Sequence, residues 1–117
     1  MKQLLTLVFL LVTFQVISAQ EAEKSKHAIL NVMHAQELAW NSGNIEGFME
    51  GYWQSDSLKF VGASGITYGW KQTLDHYKTH YPDLATMGKL TFTILTVDLV
   101  SSRSAFVIGK WKLTRKD

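Results

Sequence analysis

The chain has 117 residues, no cysteine, and 12 basic against 10 acidic side chains, for a formal charge of +2. Without cysteine there are neither disulfides nor lipidated thiols, so the core alone must hold the fold. Near-neutrality lacks the basic footprint of a nucleic-acid binder, and no nucleic-acid partner is expected.

Met1-Lys2 gives a positive start, Leu4 to Phe14 is an apolar run, and Ser18-Ala19 offers a small-residue cleavage point before Gln20. This is the layout of a secretory signal peptide over residues 1–19, too short and poorly flanked for a stable span. The competing reading is a retained N-terminal anchor. Export predicts a secreted or periplasmic protein with no membrane contact after signal removal, and one domain over residues 20–117.

From Glu23 to Trp40, Ile29, Val32, Met33, Ala39 and Trp40 recur at helical spacing. Asn41, Ser42 and Gly43 stop that helix, because glycine accepts the left-handed backbone often found at a helix end. Asn44 is placed to cap a second short helix reaching about Trp53. Leu58 to Ala63 has strand composition, Ser64-Gly65 is a turn signal, and Ile66 to Tyr68 is the returning strand of a hairpin.

Trp70, Leu74, Tyr77 and Tyr81 fall on one stripe of a third helix that Pro82 ends. Asp83 to Gly88 reads as a loop. Lys89 to Val100 and Ser104 to Thr114 are two long strands joined by Ser101-Ser102-Arg103. Apolar residues shift from even positions (Leu90, Phe92, Ile94) to odd ones (Leu95, Val97, Leu99), which predicts a bulge near Ile94 to Thr96. Ala105, Val107, Gly109, Trp111 and Leu113 make one face of the last strand, and Lys110, Lys112, Arg115 and Lys116 read as a solvated basic patch.

Several segments together carry a resemblance: Ala39-Trp-Asn-Ser-Gly-Asn44, Gly47-Phe-Met-Glu-Gly-Tyr-Trp53, Phe60 to Gly62, Tyr68-Gly-Trp70, Tyr77 with Tyr81-Pro82, Met87-Gly88 and Gly109-Lys-Trp-Lys-Leu-Thr-Arg115. In order and spacing they resemble the SnoaL-like domain of unknown function 4440, a group of the nuclear transport factor 2-like superfamily. The resemblance runs from about Lys24 to Arg115. It implies an α+β fold, with N-terminal helices packed on a strongly curved antiparallel sheet shaped as a cone. Members of the group usually continue with two more strands, so the resemblance also implies a C-terminally incomplete copy whose last strand has an unpaired edge.

The superfamily includes ketosteroid isomerases, scytalone dehydratase, limonene epoxide hydrolase and proteins that only bind or assemble, so fold alone leaves the activity open. Its enzymes share a deep apolar pocket with a few acids, tyrosines or histidines tuned by burial. Trp40, Tyr52, Trp53, Phe60, Trp70, Tyr77, Tyr81 and Trp111 are the lining candidates here, with the Gln36 amide reaching in from the apolar stripe of the first helix. Such a lining suits a flat, apolar or amphipathic small molecule. The alternative is that these rings only fill the core of a small domain.

Asp56 and Asp98 are the acids to weigh as a general base. Asp56 sits where a residue turns the chain, and the bulge would turn Asp98 away from the face of Leu90, Phe92 and Ile94; without the bulge it would point the other way. His76 and His80 have the four-residue spacing of a two-imidazole metal site, but no third ligand follows at a recognisable spacing, and no metal is expected. His27 and His34 read as surface residues. No phosphate loop and no nucleophile elbow occurs, and no cofactor is expected.

The sequence reading is thus an exported binding or interaction domain of unresolved role. A cofactor-free isomerase, dehydratase or hydrolase using a pocket carboxylate and a tyrosine is the alternative, and a homodimerisation module the third. The signal-peptide reading predicts a mature chain beginning at Gln20. N-terminal sequencing of exported protein checks this, and a soluble form retaining Met1 overturns it.

Overall fold

The computed structural model describes residues 2–116, with side chains from Ser18 onward. The apolar run on which the signal-peptide reading rests therefore lies outside the described side chains. The elements are α1 (Lys2–Asn41), α2 (Ile45–Met49), β1 (Lys59–Gly62), β2 (Gly65–Tyr68), α3 (Trp70–His80), α4 (Leu84–Met87), β3 (Lys89–Ser101) and β4 (Ser104–Thr114). They form an α+β arrangement with two antiparallel two-stranded sheets, β1–β2 and β3–β4, each a hairpin. Among the described residues no helix is long and apolar enough to cross a membrane.

The end of α1 is built as its residues dictate. Gly43 takes a positive φ of 78°. The Asn44 amide donates to the Ala39 carbonyl and the Gly43 amide to that of Trp40, each at 2.9 Å. This paired closure satisfies carbonyls that a helix end otherwise leaves open. Asn44 then caps α2, its side chain accepting from the Gly47 amide at 2.8 Å.

The last turns of α1 are bound to the edge of β3. The Asn41 side chain accepts from the Leu90 amide at 2.7 Å and donates to the Leu90 carbonyl at 3.0 Å. One turn earlier, Glu37 accepts from the Phe92 amide at 2.7 Å. Leu90 and Phe92 are two residues apart, so their free backbone groups share one edge, and Glu37 and Asn41 are four apart, so they share one helix face. The helix thus stands where a further strand would pair, and it covers that edge.

Trp40, Ile45, Phe48, Met49, Leu74, Met87 and Leu90 form the buried core, contributed by α1, α2, α3, α4 and β3. The bulge falls at Leu95: Ile94 pairs with Gly109 and Thr96 with Ile108, leaving Leu95 without an opposite residue. Gly109 is needed there, since a Cβ would stand 2.9 Å from the Thr93 carbonyl oxygen.

Two readings of the sequence are corrected. Residues 83–88 are not a plain loop, because Asp83 caps the four-residue α4 by accepting from the Thr86 amide at 2.7 Å. The alternative that the aromatic rings only fill the core fails at Trp111. Trp111 is 68% exposed, because it stands opposite Phe92 on β4 and no described element packs over its outer side. Trp40→Ala should therefore cost about 3–5 kcal/mol, and Trp111→Ala about 1 kcal/mol or less. Denaturant midpoints of the two variants check the contrast, and equal losses overturn it.

Candidate functional site

A cavity of about 710 Å³ opens between the β1–β2 hairpin, α3 and the β3–β4 sheet. Trp40, Phe48 and Tyr52 close its inner end. The cross-strand pairs Leu90–Leu113 and Phe92–Trp111 form its sheet wall, and Val61 to Gly65 with Thr67 form the hairpin side. His76, Tyr77, His80 and Tyr81 face it from α3 and its C-cap. The size lies within the range of small-molecule sites.

The inner rings hold each other edge to face. Trp40 meets Phe48, Tyr77 and Tyr81 at centroid distances of 5.1, 5.8 and 4.9 Å. Phe60 reaches from β1 to Tyr52 at 5.9 Å and Tyr77 at 5.7 Å. Such T-shaped contacts match the positive edge of one ring to the negative face of the next. They also leave ring edges, not a filled layer, along the cavity.

Burial pushes the Tyr77 hydroxyl well above the ordinary tyrosine range, and the neighbouring Tyr52 and Tyr81 raise it further. Burial likewise raises Tyr52, partly offset by the neighbouring Tyr77 hydroxyl. Both phenols are therefore neutral donors and acceptors at ordinary pH. Among the described lining residues there is no Asp, Glu, Lys or Arg. The His80 Nδ1 lies 2.9 Å from the His76 carbonyl oxygen, and the two imidazoles stack at 4.0 Å. Among the described residues no group of three or more His, Asp or Glu side chains is placed to hold a metal ion.

Of the candidates from sequence, Trp40, Tyr52, Phe60, Tyr77, Tyr81 and Trp111 come together around this cavity, and Gln36, Trp53 and Trp70 do not. Gln36 is buried, but its amide donates to the Phe48 carbonyl at 3.1 Å, at the end of α2. Trp70 points its indole N–H to the Met49 carbonyl at 2.8 Å. Trp53 is 65% exposed. Asp56 and Asp98 are both exposed and line no part of the cavity.

Sequence reasoning missed Phe48, the hairpin tip and the inward turn of His76 and His80. The even-numbered apolar face of Leu90 and Phe92 was a usable signal for the sheet wall. The hairpin tip had none, since its place over the cavity depends on tertiary packing.

Comparison with protein-family models finds no match, and comparison with curated proteins finds none either. Among solved structures, the chain is similar to the crystal structure of an NTF-2-like protein of unknown function from Shewanella oneidensis MR-1. The two share 37% identity with a TM-score of 0.76, over 79% of this chain and 76% of the other. The chain belongs to the NTF-2-like proteins, and its helices and antiparallel hairpins are that fold.

The raised tyrosines predict an alkaline weakness. Below the ordinary tyrosine value of 10.0 both folded and unfolded chains keep these protons, and the contribution to stability is fully present. Above it, the unfolded chain releases phenolic protons that the folded chain retains, so stability falls as pH rises. Denaturant midpoints should drop more steeply above that pH in the wild type than in Tyr77→Phe. Parallel pH profiles overturn the assignment.

Proposed function

We propose that this protein is an exported domain of the SnoaL-like group that binds a flat, apolar or amphipathic small molecule in the cavity between hairpin, α3 and sheet. One observation carries the reading: the cavity of about 710 Å³ is walled largely by aromatic and aliphatic side chains, with no Asp, Glu, Lys or Arg among its described residues. Burying a charged ligand group against such walls is costly, whereas burying an apolar ring is favourable. The neutral hydroxyls of Tyr52 and Tyr77 supply orienting hydrogen bonds.

Export rests on the layout of Met1 to Ala19. A homodimer belongs to the same reading, since β4 exposes Phe106 and Ile108. The alternative of a cofactor-free enzyme needs a carboxylate beside a tyrosine hydroxyl. Asp98, opposite Phe106 on the sheet and exposed, is not in that place, which favours binding over catalysis.

Pyrene, a neutral polycyclic probe, should bind saturably at one site and quench tryptophan fluorescence. Trp111→Glu puts a charge on the wall at an already exposed position, so it should weaken binding at least about tenfold while leaving the thermal midpoint nearly unchanged. Non-saturable partitioning, or no effect of the substitution, overturns the proposal.

A further inference from the structure

Building on the binding reading above, we infer that Gly62 sets the size of molecule this cavity accepts. Its missing side chain leaves room beside the hairpin for the outer end of a flat, neutral polycyclic body.

The chain has eight glycines, and its own conformation and packing account for seven. Gly43, Gly65, Gly69 and Gly88 take a positive φ, which residues with a Cβ rarely adopt. At Gly47, Gly51 and Gly109 a Cβ would stand 2.5, 2.5 and 2.9 Å from Asn44, Gln36 and Thr93. Asn44 and Gln36 are held there by their own hydrogen bonds, and the Thr93 atom is a backbone oxygen. Gly62 meets neither condition. Its φ is not positive, and a Cβ there would touch only Phe60 Cε1, at the ordinary contact distance of 3.4 Å.

The two faces of the hairpin place this open position. Residues two apart on a strand share a face. Phe60 and its partner Thr67 are half-buried and line the cavity. Gly62 follows two residues after Phe60, pairs with Gly65, and lines the cavity as well. Val61 and its partner Ile66 carry their side chains on the opposite face and are 72% and 52% exposed. A Cβ at Gly62 would therefore project along the face of Phe60, toward the cavity.

Glycine weakens a strand, and β1 has only four residues. Such a glycine belongs where another backbone or a ligand comes close. Among the described residues beyond its chain neighbours, only the Phe60 ring comes within 4 Å of the Cβ position. The close neighbour is then what the cavity binds. Gly62 stands roughly 6.6 Å beyond Phe60 along the strand. A molecule that fills only the inner end, against Trp40, Phe48 and Phe60, stops short of it, whereas a longer one lies flat against the glycine backbone. Methyl groups added at Gly62 take space from the longer molecule and none from the protein.

The test titrates wild type, Gly62→Ala and Gly62→Val with naphthalene, of two fused rings, and with pyrene, of four, and records thermal midpoints. Pyrene affinity should fall about threefold in Gly62→Ala and about tenfold or more in Gly62→Val, as added methyl groups in an apolar pocket do. Naphthalene affinity should stay within about twofold in both variants. The midpoints should hold or rise, because alanine and valine restrict the unfolded chain more than glycine and valine favours strands. Unchanged pyrene affinity in Gly62→Val overturns the role given to Gly62, and so does an equal loss for both probes. A midpoint that falls from glycine to alanine to valine overturns it too, since the added groups then press on the protein. Failure of the wild type to bind pyrene saturably overturns the cavity reading itself.

Discussion

The Trp40 indole is the contact on which the rest of the fold depends. It ends α1, and its ring meets Phe48 of α2 with Tyr77 and Tyr81 at the end of α3. Its Nε1 donates to the Met87 carbonyl at the end of α4, at 3.3 Å. One side chain thus joins four helices. Indole is suited to this because it offers a wide apolar face and a single donor at its edge. Phenylalanine would leave the Met87 carbonyl open, and tyrosine would place its hydroxyl elsewhere.

That hydrogen bond is one of a set. α2 has five residues and α4 four, too short to offset the cost of helix nucleation alone. Each is closed by donors from distant parts of the chain. Gln36 and Trp70 take the Phe48 and Met49 carbonyls at the end of α2. Arg115 and Trp40 take the Thr86 and Met87 carbonyls at the end of α4. The two short helices exist because long side chains elsewhere satisfy their last carbonyls. The same demand draws Gln36 and Trp70 away from the cavity.

This division explains what could be read from the sequence. The Gly43 stop, the Asn44 cap, the hairpin around Ser64-Gly65 and the bulge at Leu95 were all legible, because each rests on local backbone chemistry or on a period of two. Residues Tyr77 and Tyr81 were legible as a stripe. The roles of Gln36, Trp70 and Trp111 were not, since pattern records that a side chain is apolar or long without recording which carbonyl or solvent face it meets. Nor was α4, because four residues carry no helical period and only the Asp83 cap marks it. Asp98 shows the reach of such local chemistry: its place followed from the bulge at Leu95 on the same strand.

The bulge also decides which half of the long hairpin can serve the cavity. Before Leu95, the even-numbered residues of β3 face α1 and the inner rings: Leu90 is buried and Phe92 half-buried. After it, the phase reverses, and Val97 and Leu99 become the half-buried positions. The side-chain bonds from Glu37 and Asn41 to Phe92 and Leu90 fix the first half against α1. The cavity therefore lies against the stretch of sheet whose register is held both by β4 and by the helix. The far half of the hairpin, with Val100 and Phe106 exposed, has no such side-chain bond among the described residues. Recognition built on the inner half gains a rigid wall, since its residues cannot slip without breaking three side-chain bonds to the helix and the Gly109 contact beside the bulge.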